Sequence, residues 1–161
     1  MAKNFIETKG KPMDLRNYVA ENAQELEIWA EFKGVPVLLK YEDRVAFNRN
    51  VERCKKKSWK RHQQVEELSD PKVIRYLATL VRDWKGLTLG RLAELMAIDV
   101  APDDAGKPVP CTDDNKIVLL EKAYDFDGFV MDTVTDIQAF RAEKLEAEAK
   151  NLPTSHGAAS A

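Results

Sequence analysis

Side chains able to ligate a metal or act as nucleophiles are few and scattered. His62, His156, Cys54 and Cys111 are the whole histidine and cysteine complement of 161 residues. A Cys/His zinc site draws four ligands from paired spacings such as CxxC or HxxxH, and neither spacing occurs. The run Asp125-Phe126-Asp127-Gly128 has the look of a calcium-loop fragment. With Gly128 at the invariant glycine, however, the first ligand position falls on Ala123, which brings no side-chain oxygen. The phosphate-cradling patterns GxxxxGK[ST] and GxGxxG and the GxSxG nucleophile elbow are also missing. The carboxylates fit helix caps and solvated helix faces, and no pair stands out as an acid/base couple. An enzyme, a cofactor and a metal site are therefore not expected.

What remains is charge. The net formal charge is −2, but Asp43 to Arg61 carries eight Lys/Arg against two acids, and Glu121 to Lys150 eight acids against four bases. Within RCKKKSWKRH, Trp59 stands among Arg53, Lys56, Lys57 and Lys60. That cluster suits three uses: a plain solvated face, a dock for an acidic protein partner, or a grip on phosphates with Trp59 stacked on a base. The acidic whole-chain balance weighs against nucleic acid, which asks for a larger basic footprint. These five residues are the candidate partner-binding set.

The elements that would position them follow from periodicity. Residues 1–22 are polar and broken by Gly10 and Pro12, a flexible N-terminal segment. Ile28, Ala30 and Phe32 alternate with Glu27, Trp29 and Glu31, and Lys33-Gly34 turns the chain into a second strand from Val35 to Tyr41: a β-hairpin that needs helices to cover it. From Asp43 the apolar residues Val45, Phe47, Val51 and Cys54 take helical spacing, so the basic block 53–61 is predicted to be helical. Ser69 or Asp70 caps the next helix, with Pro71 at its first position. The stripe Val73, Ile74, Leu77, Leu80, Val81, Trp84 carries that helix to Gly86 and makes Trp84 a core plug at its end. Thr88 caps a short helix holding Leu92, Leu95 and Met96; residues 99–111 form a loop; Thr112 caps a helix through Leu120. One long final helix, Asp125 to Lys150, buries Phe126, Phe129, Val130, Val134, Ile137 and Phe140. Past Phe140 it has nothing to bury and should project into solvent, before a disordered tail at 151–161. The fold class is α+β, mainly α, with an N-terminal hairpin packed against about four to five helices in a single domain, residues 23–150.

Two cysteines in unlike contexts point to a reducing compartment. No apolar run approaches the roughly 18 residues of a membrane span, and the N-terminus lacks a signal-peptide core. A cytosolic protein without membrane contact is expected.

Taken in order, LVRDWKGL, then GKPVPCTDDN, then NKIVLLEKA, then FRAEKLEAEAKN resemble the phage tail assembly chaperones over about residues 24 to 151. That family has a W-x-G-[LV] helix end, a G-x-P-[VI]-P segment, a capped helix and a final helix with an aromatic–Arg–acid run and a Lys-Asn close. Here Asp83, Trp84, Gly86, Gly106, Pro108 and Pro110 take those places. Cys111 stands where the family has an aromatic, and residues 87–98 lengthen the segment before the loop. The resemblance implies a non-enzymatic host-cytoplasmic protein of a phage or prophage. It would bind the long helical tape measure protein, keep it soluble while tube subunits polymerise, and be absent from the finished virion. Many genes of that family also make a longer product by programmed frameshifting, through which tail tube protein would be engaged. Ala149-Lys150-Asn151 can be encoded GCA AAA AAC, which contains the slippery heptamer A AAA AAC. Self-association is left open. A small nucleic-acid-binding or regulatory module using the basic segment 53–61 and a structural virion protein are the alternatives.

Overall fold

The computed structural model describes residues 12–68 and 70–151. The proposed cap at Ser69 and the tail from 152 onward lie outside them. The α+β, mainly helical class is as expected, and the N-terminal hairpin is present. Strand β1 (Glu27–Phe32) pairs antiparallel with β2 (Val35–Lys40) in the register Ile28↔Leu39, Ala30↔Val37, Phe32↔Val35. Lys33 (φ 45°) and Gly34 (φ 87°) both lie in the left-handed region, as a two-residue type I′ turn requires. Ile28, Phe32, Val35, Val37 and Leu39 point to one side and are buried.

Helix α1 (Leu15–Asn22) occupies part of the segment read as patternless; Asp14 caps it by accepting from the Arg16 amide at 3.0 Å. None of its residues is buried. After β2, the Asp43 carboxylate accepts from the Ala46 amide and starts α2 (Arg44–Arg53). The predicted basic helix then fails. The chain turns at Cys54 into β3 (Lys55–Lys60), which pairs antiparallel with β4 (Gln63–Leu68) as a separate two-stranded sheet. The apolar stripe ends at Cys54, which is buried, and three consecutive lysines then put charge on both faces of any element. Pairing instead sets Lys56 opposite Glu67 and Lys57 opposite Glu66, opposite charges at directly facing positions.

A second correction concerns Trp84. Helix α3 (Asp70–Leu80) stops short of it, and Val81–Trp84 forms β5, antiparallel to β2 on the edge away from β1. The spacing of three between Val81 and Trp84 reads as helical because a flat strand would point them to opposite faces. Here Leu39 faces Val81 and Leu38 faces Asp83, so Arg82 is an extra bulged residue and both apolar side chains reach the core. Closing the open edge of β2 also satisfies backbone groups that would otherwise lie unpaired beside the core.

Helix α4 (Leu89–Leu95) begins at Thr88, whose hydroxyl accepts from the Arg91 amide; α5 (Asp113–Lys122) begins at Thr112, which does the same for Asn115. The long final helix is two: α6 (Phe126–Val134) and α7 (Ile137–Asn151). Thr133 and Thr135 turn their hydroxyls back to the carbonyls of Phe129 and Met131, and the Asp136 carboxylate caps α7 at the Ala139 amide, 3.1 Å. Six residues advance a straight helix by about 600°, so without the break Val134 and Phe140 would not share a face; with it both are fully buried. Beyond Phe140 every described residue of α7 is exposed, as its sequence implies. Helices α3, α5 and α6 pack together over the inner face of the sheet, and Leu77, Leu80, Leu119, Phe126, Val130 and Leu39 belong to one core. Among the described residues no helix is long and apolar enough to cross a membrane.

Candidate interaction surfaces

The Trp84 corner is architecture. Trp84 is 6% exposed and its indole N–H donates to the Val109 carbonyl at 2.8 Å, tying β5 to the proline-rich loop. The Asp83 carboxylate accepts from the Trp84 amide, and Gly86 turns the chain at φ 67°. The loop returns the contact through Val109 N–H to Leu87 O (2.8 Å), Gly90 N–H to Ala105 O (2.9 Å) and a bridge between Thr88 and Pro108. Pro110 offers its carbonyl to the Asn115 side chain at 2.9 Å. Gly106 faces open space. Asp83, Trp84, Gly86, Pro108 and Pro110 thus meet in one joint, and Trp84 is the core plug expected of it, on a strand.

The basic residues lie elsewhere. Arg53 ends α2 exposed; Lys56 and Lys57 are exposed on β3; Lys60 closes that strand; Trp59 is 75% exposed. Lys57 and Trp59 fall on one face of the ribbon by strand alternation, with Gln64 opposite Trp59. The ribbon turns through Arg61 (φ 51°) and His62 (φ 67°). From Lys57 to Gln64 the tip contains Lys57, Lys60 and Arg61 and no acid; Glu66 and Glu67 sit nearer the base. An apolar side chain of that size left in water, on the same ribbon face as the exposed Lys57, has the composition of an interface anchor.

Two concave surfaces had no sequence signal assigned to them. One, about 750 Å³, lies between α1 and the start of α7, where Tyr18, Val19, Ala23, Leu26, Tyr41 and Ile137 meet Lys40, Arg141 and the carboxylates Glu25, Glu42 and Asp43. Its α1 wall presents Tyr18 and Val19; with Leu15, outside the cleft, they take the spacing i, i+3 and i+4 of one helical stripe, each more than half exposed. Asp14 followed by that spacing was the signal that could have found it. The other, about 510 Å³, is an apolar groove of Val51, Val73, Ile74, Leu77, Leu120 and Met131 between α3, α5 and α6. Among the described residues Asp70, Glu121 and Asp127 rim it, against one base, Lys122. It pairs residues from distant parts of the chain, so periodicity could not assemble it.

Titratable chemistry is sparse. Tyr76 is pushed up to about 12, by burial first, with the Glu42 carboxylate adding to the rise and a hydrogen bond to Asn50 opposing it. Burial raises the Cys111 thiol, while Lys116 pulls it down; a raised thiol is a poor nucleophile. Cys54 donates to the Asn50 carbonyl at 3.2 Å, and both cysteines are free. Among the described residues no group of three or more His, Cys, Asp or Glu side chains could hold a metal ion.

Residues 41–151, over two thirds of the chain, match the model of a family described as YdaY prophage protein. The match spans α2 through α7, including the basic ribbon and the acid-rimmed groove. No curated protein matches the chain, and no solved structure does.

Proposed function

The chain belongs to the YdaY prophage protein family, and on that premise we propose that it is a tail assembly chaperone, a binding protein that works without making or breaking bonds. Its partner is the tape measure protein, a long helical chain whose apolar stripes self-associate when left bare. The observation that carries this reading is helix α1, eight residues long with no buried residue and an apolar stripe facing the cleft beside α7. A partner helix laid there by its own apolar face completes a three-sided packing, with Lys40, Arg141 and the flanking carboxylates fixing its register. Such a site is shallow enough to release its helix when tube subunits compete for it. The protein would act in the host cytoplasm and leave before the virion is complete. A frameshift at Ala149–Asn151, which those residues permit, would supply a longer form that also meets tail tube protein.

Co-expression with the long coiled-coil product of the neighbouring gene tests this. The wild-type chain should move that product into the soluble fraction, and Tyr18→Glu with Val19→Glu should abolish the effect while leaving the melting temperature unchanged. An insoluble partner regardless of co-expression ends the proposal, as does stoichiometric protein in purified virions.

The exposed Trp59 amid Lys56 and Lys57 favours a second reading, a single-stranded nucleic-acid grip. Salt-sensitive DNA binding lost with Lys56→Glu and Lys57→Glu would establish it.

A further inference from the structure

We propose that the acid-rimmed groove between α3, α5 and α6 is the seat for the β3–β4 ribbon tip of a second copy of this chain, with Trp59 as the anchor. The two surfaces are opposite in charge and matched in character. The tip carries Lys57, Lys60 and Arg61 in its sequence without an acid, and among the described residues the groove rim carries Asp70, Glu121 and Asp127 against the single base Lys122. Below that rim lies an apolar floor of Val73, Ile74, Leu120 and Met131. A volume of about 510 Å³ admits an indole together with the aliphatic stem of a flanking lysine.

Trp59 of the chain's own ribbon does not enter that groove. Trp59 is 75% exposed. Val51 and Asp70, which flank the ribbon in sequence, line the groove, so the ribbon base adjoins it. Trp59 stands four residues along from Lys55, about 13 Å at strand rise. A polyanion is the wrong occupant for a rim of three carboxylates, and an acidic peptide is equally disfavoured. Because every copy has both surfaces, two copies placed antiparallel satisfy both contacts at once, a closed reciprocal pair. Each seated indole buries about 150–250 Å², well below a standard interface, so the association is expected to be weak, with a Kd on the order of 10 μM. This contact is independent of the α1 cleft and of the chaperone reading.

Sedimentation equilibrium of the full chain at low salt reads it directly. The wild type should pass from monomer to dimer across that concentration range and shift toward monomer as salt is raised. Trp59→Ala should weaken dimerisation about tenfold or more, and Glu121→Lys with Asp127→Asn should do the same, each with an unchanged circular dichroism spectrum. Mixing the two variants keeps one intact tip and one intact groove, so a one-to-one heterodimer should form at concentrations where neither variant alone dimerises, though more weakly than the wild-type pair. A wild type that stays monomeric overturns the proposal. So does a Trp59→Ala variant that dimerises like the wild type, or a mixture that yields no heterodimer. A monomeric chain whose groove instead takes a basic helical peptide, sensitive to the Glu121 and Asp127 changes, gives the seat to another occupant and also overturns it.

Discussion

Two ribbons in this protein share a blueprint and meet opposite fates. Each has two six-residue strands in unbroken antiparallel register, closed by two residues with positive φ. The β1–β2 ribbon alternates, so Ile28, Phe32, Val35, Val37 and Leu39 gather on one face under the helices. The β3–β4 ribbon begins with three lysines in a row, has no apolar face to offer, and pairs only with itself. Backbone hydrogen bonding alone therefore does not place a ribbon. Side-chain alternation decides whether it becomes the floor of a core or a probe held out in solvent, and an isolated two-stranded ribbon is marginal by itself.

The sharpest way to break the comparison is to truncate one side chain on each ribbon. Leu39 is fully buried, and Leu39→Ala should lose about 2–5 kcal/mol of stability, since the cavity cannot collapse among sheet and helices. Trp59→Ala, although it removes a larger side chain, should stay within about 0.5 kcal/mol of wild type, as exposed substitutions do. Urea unfolding of both variants checks this. Comparable losses would mean that the second ribbon is packed on the body.

The turns give the next contrast. Gly34 adopts φ 87°, where a β-branched residue is disfavoured. An added Cβ would also stand 2.9 Å from the Arg91 guanidinium, which donates to the Lys33 carbonyl. The arginine can swing away; the backbone cannot. Gly34→Val should cost about 1–2 kcal/mol, seen as a lower urea midpoint with an unchanged slope.

The same contrast explains what was legible in the chain. The first ribbon could be read because Ile28, Ala30 and Phe32 alternate and Lys33-Gly34 is turn chemistry. The caps at Thr88 and Thr112 were equally plain, because capping depends on a residue and its next three neighbours. The second ribbon could not be read: its lysines erase the period of two, and Arg61-His62 is an unusual pair for left-handed positions. Strand β5 was hidden by the bulge at Arg82, which gives a strand the spacing of a helix. The break at Thr135-Asp136 was hidden because continuous apolar spacing runs through it. Of the surfaces, the exposed Trp59 was visible from its neighbours, whereas the groove from Val51 to Met131 exists only after folding.

Giving the second ribbon the turn of an ideal one should sharpen the difference in a different direction. Arg61→Asn with His62→Gly relieves left-handed strain at both positions and should steady the ribbon by about 1 kcal/mol. Because the ribbon opens apart from the core, the gain should appear as roughly fivefold slower amide exchange in β3 and β4, with no change in the exchange of β1 and β2. Slower exchange throughout would mean that the two ribbons open together.

The smallest effect concerns pH and should reach only the first ribbon. Tyr76 on α3 donates to the Glu42 carboxylate at 3.3 Å, two residues past β2, and its ring lies 5.6 Å from that of Phe47 on α2. Burial foremost, helped by Glu42, raises its pKa from 10.0 to about 12. Between those values the unfolded chain has lost the phenol proton and the folded chain keeps it, so the unfolded state binds fewer protons and stability falls as pH rises. The contribution is whole below about pH 10 and disappears as pH climbs through about 12. The ring is only partly buried, so screening keeps the effect small. The difference in phenolate absorbance between wild type and Tyr76→Phe should show that titration directly, and the variant should lose the alkaline slope in its unfolding midpoint. Faster exchange should accompany the titration at Tyr41 and Glu42, whose amides bond to Leu26 and Val134, while the Trp59 ribbon should show no change beyond the intrinsic pH dependence of exchange. An unchanged slope in Tyr76→Phe would assign the alkaline response to other groups and remove the link between that phenol and the end of β2.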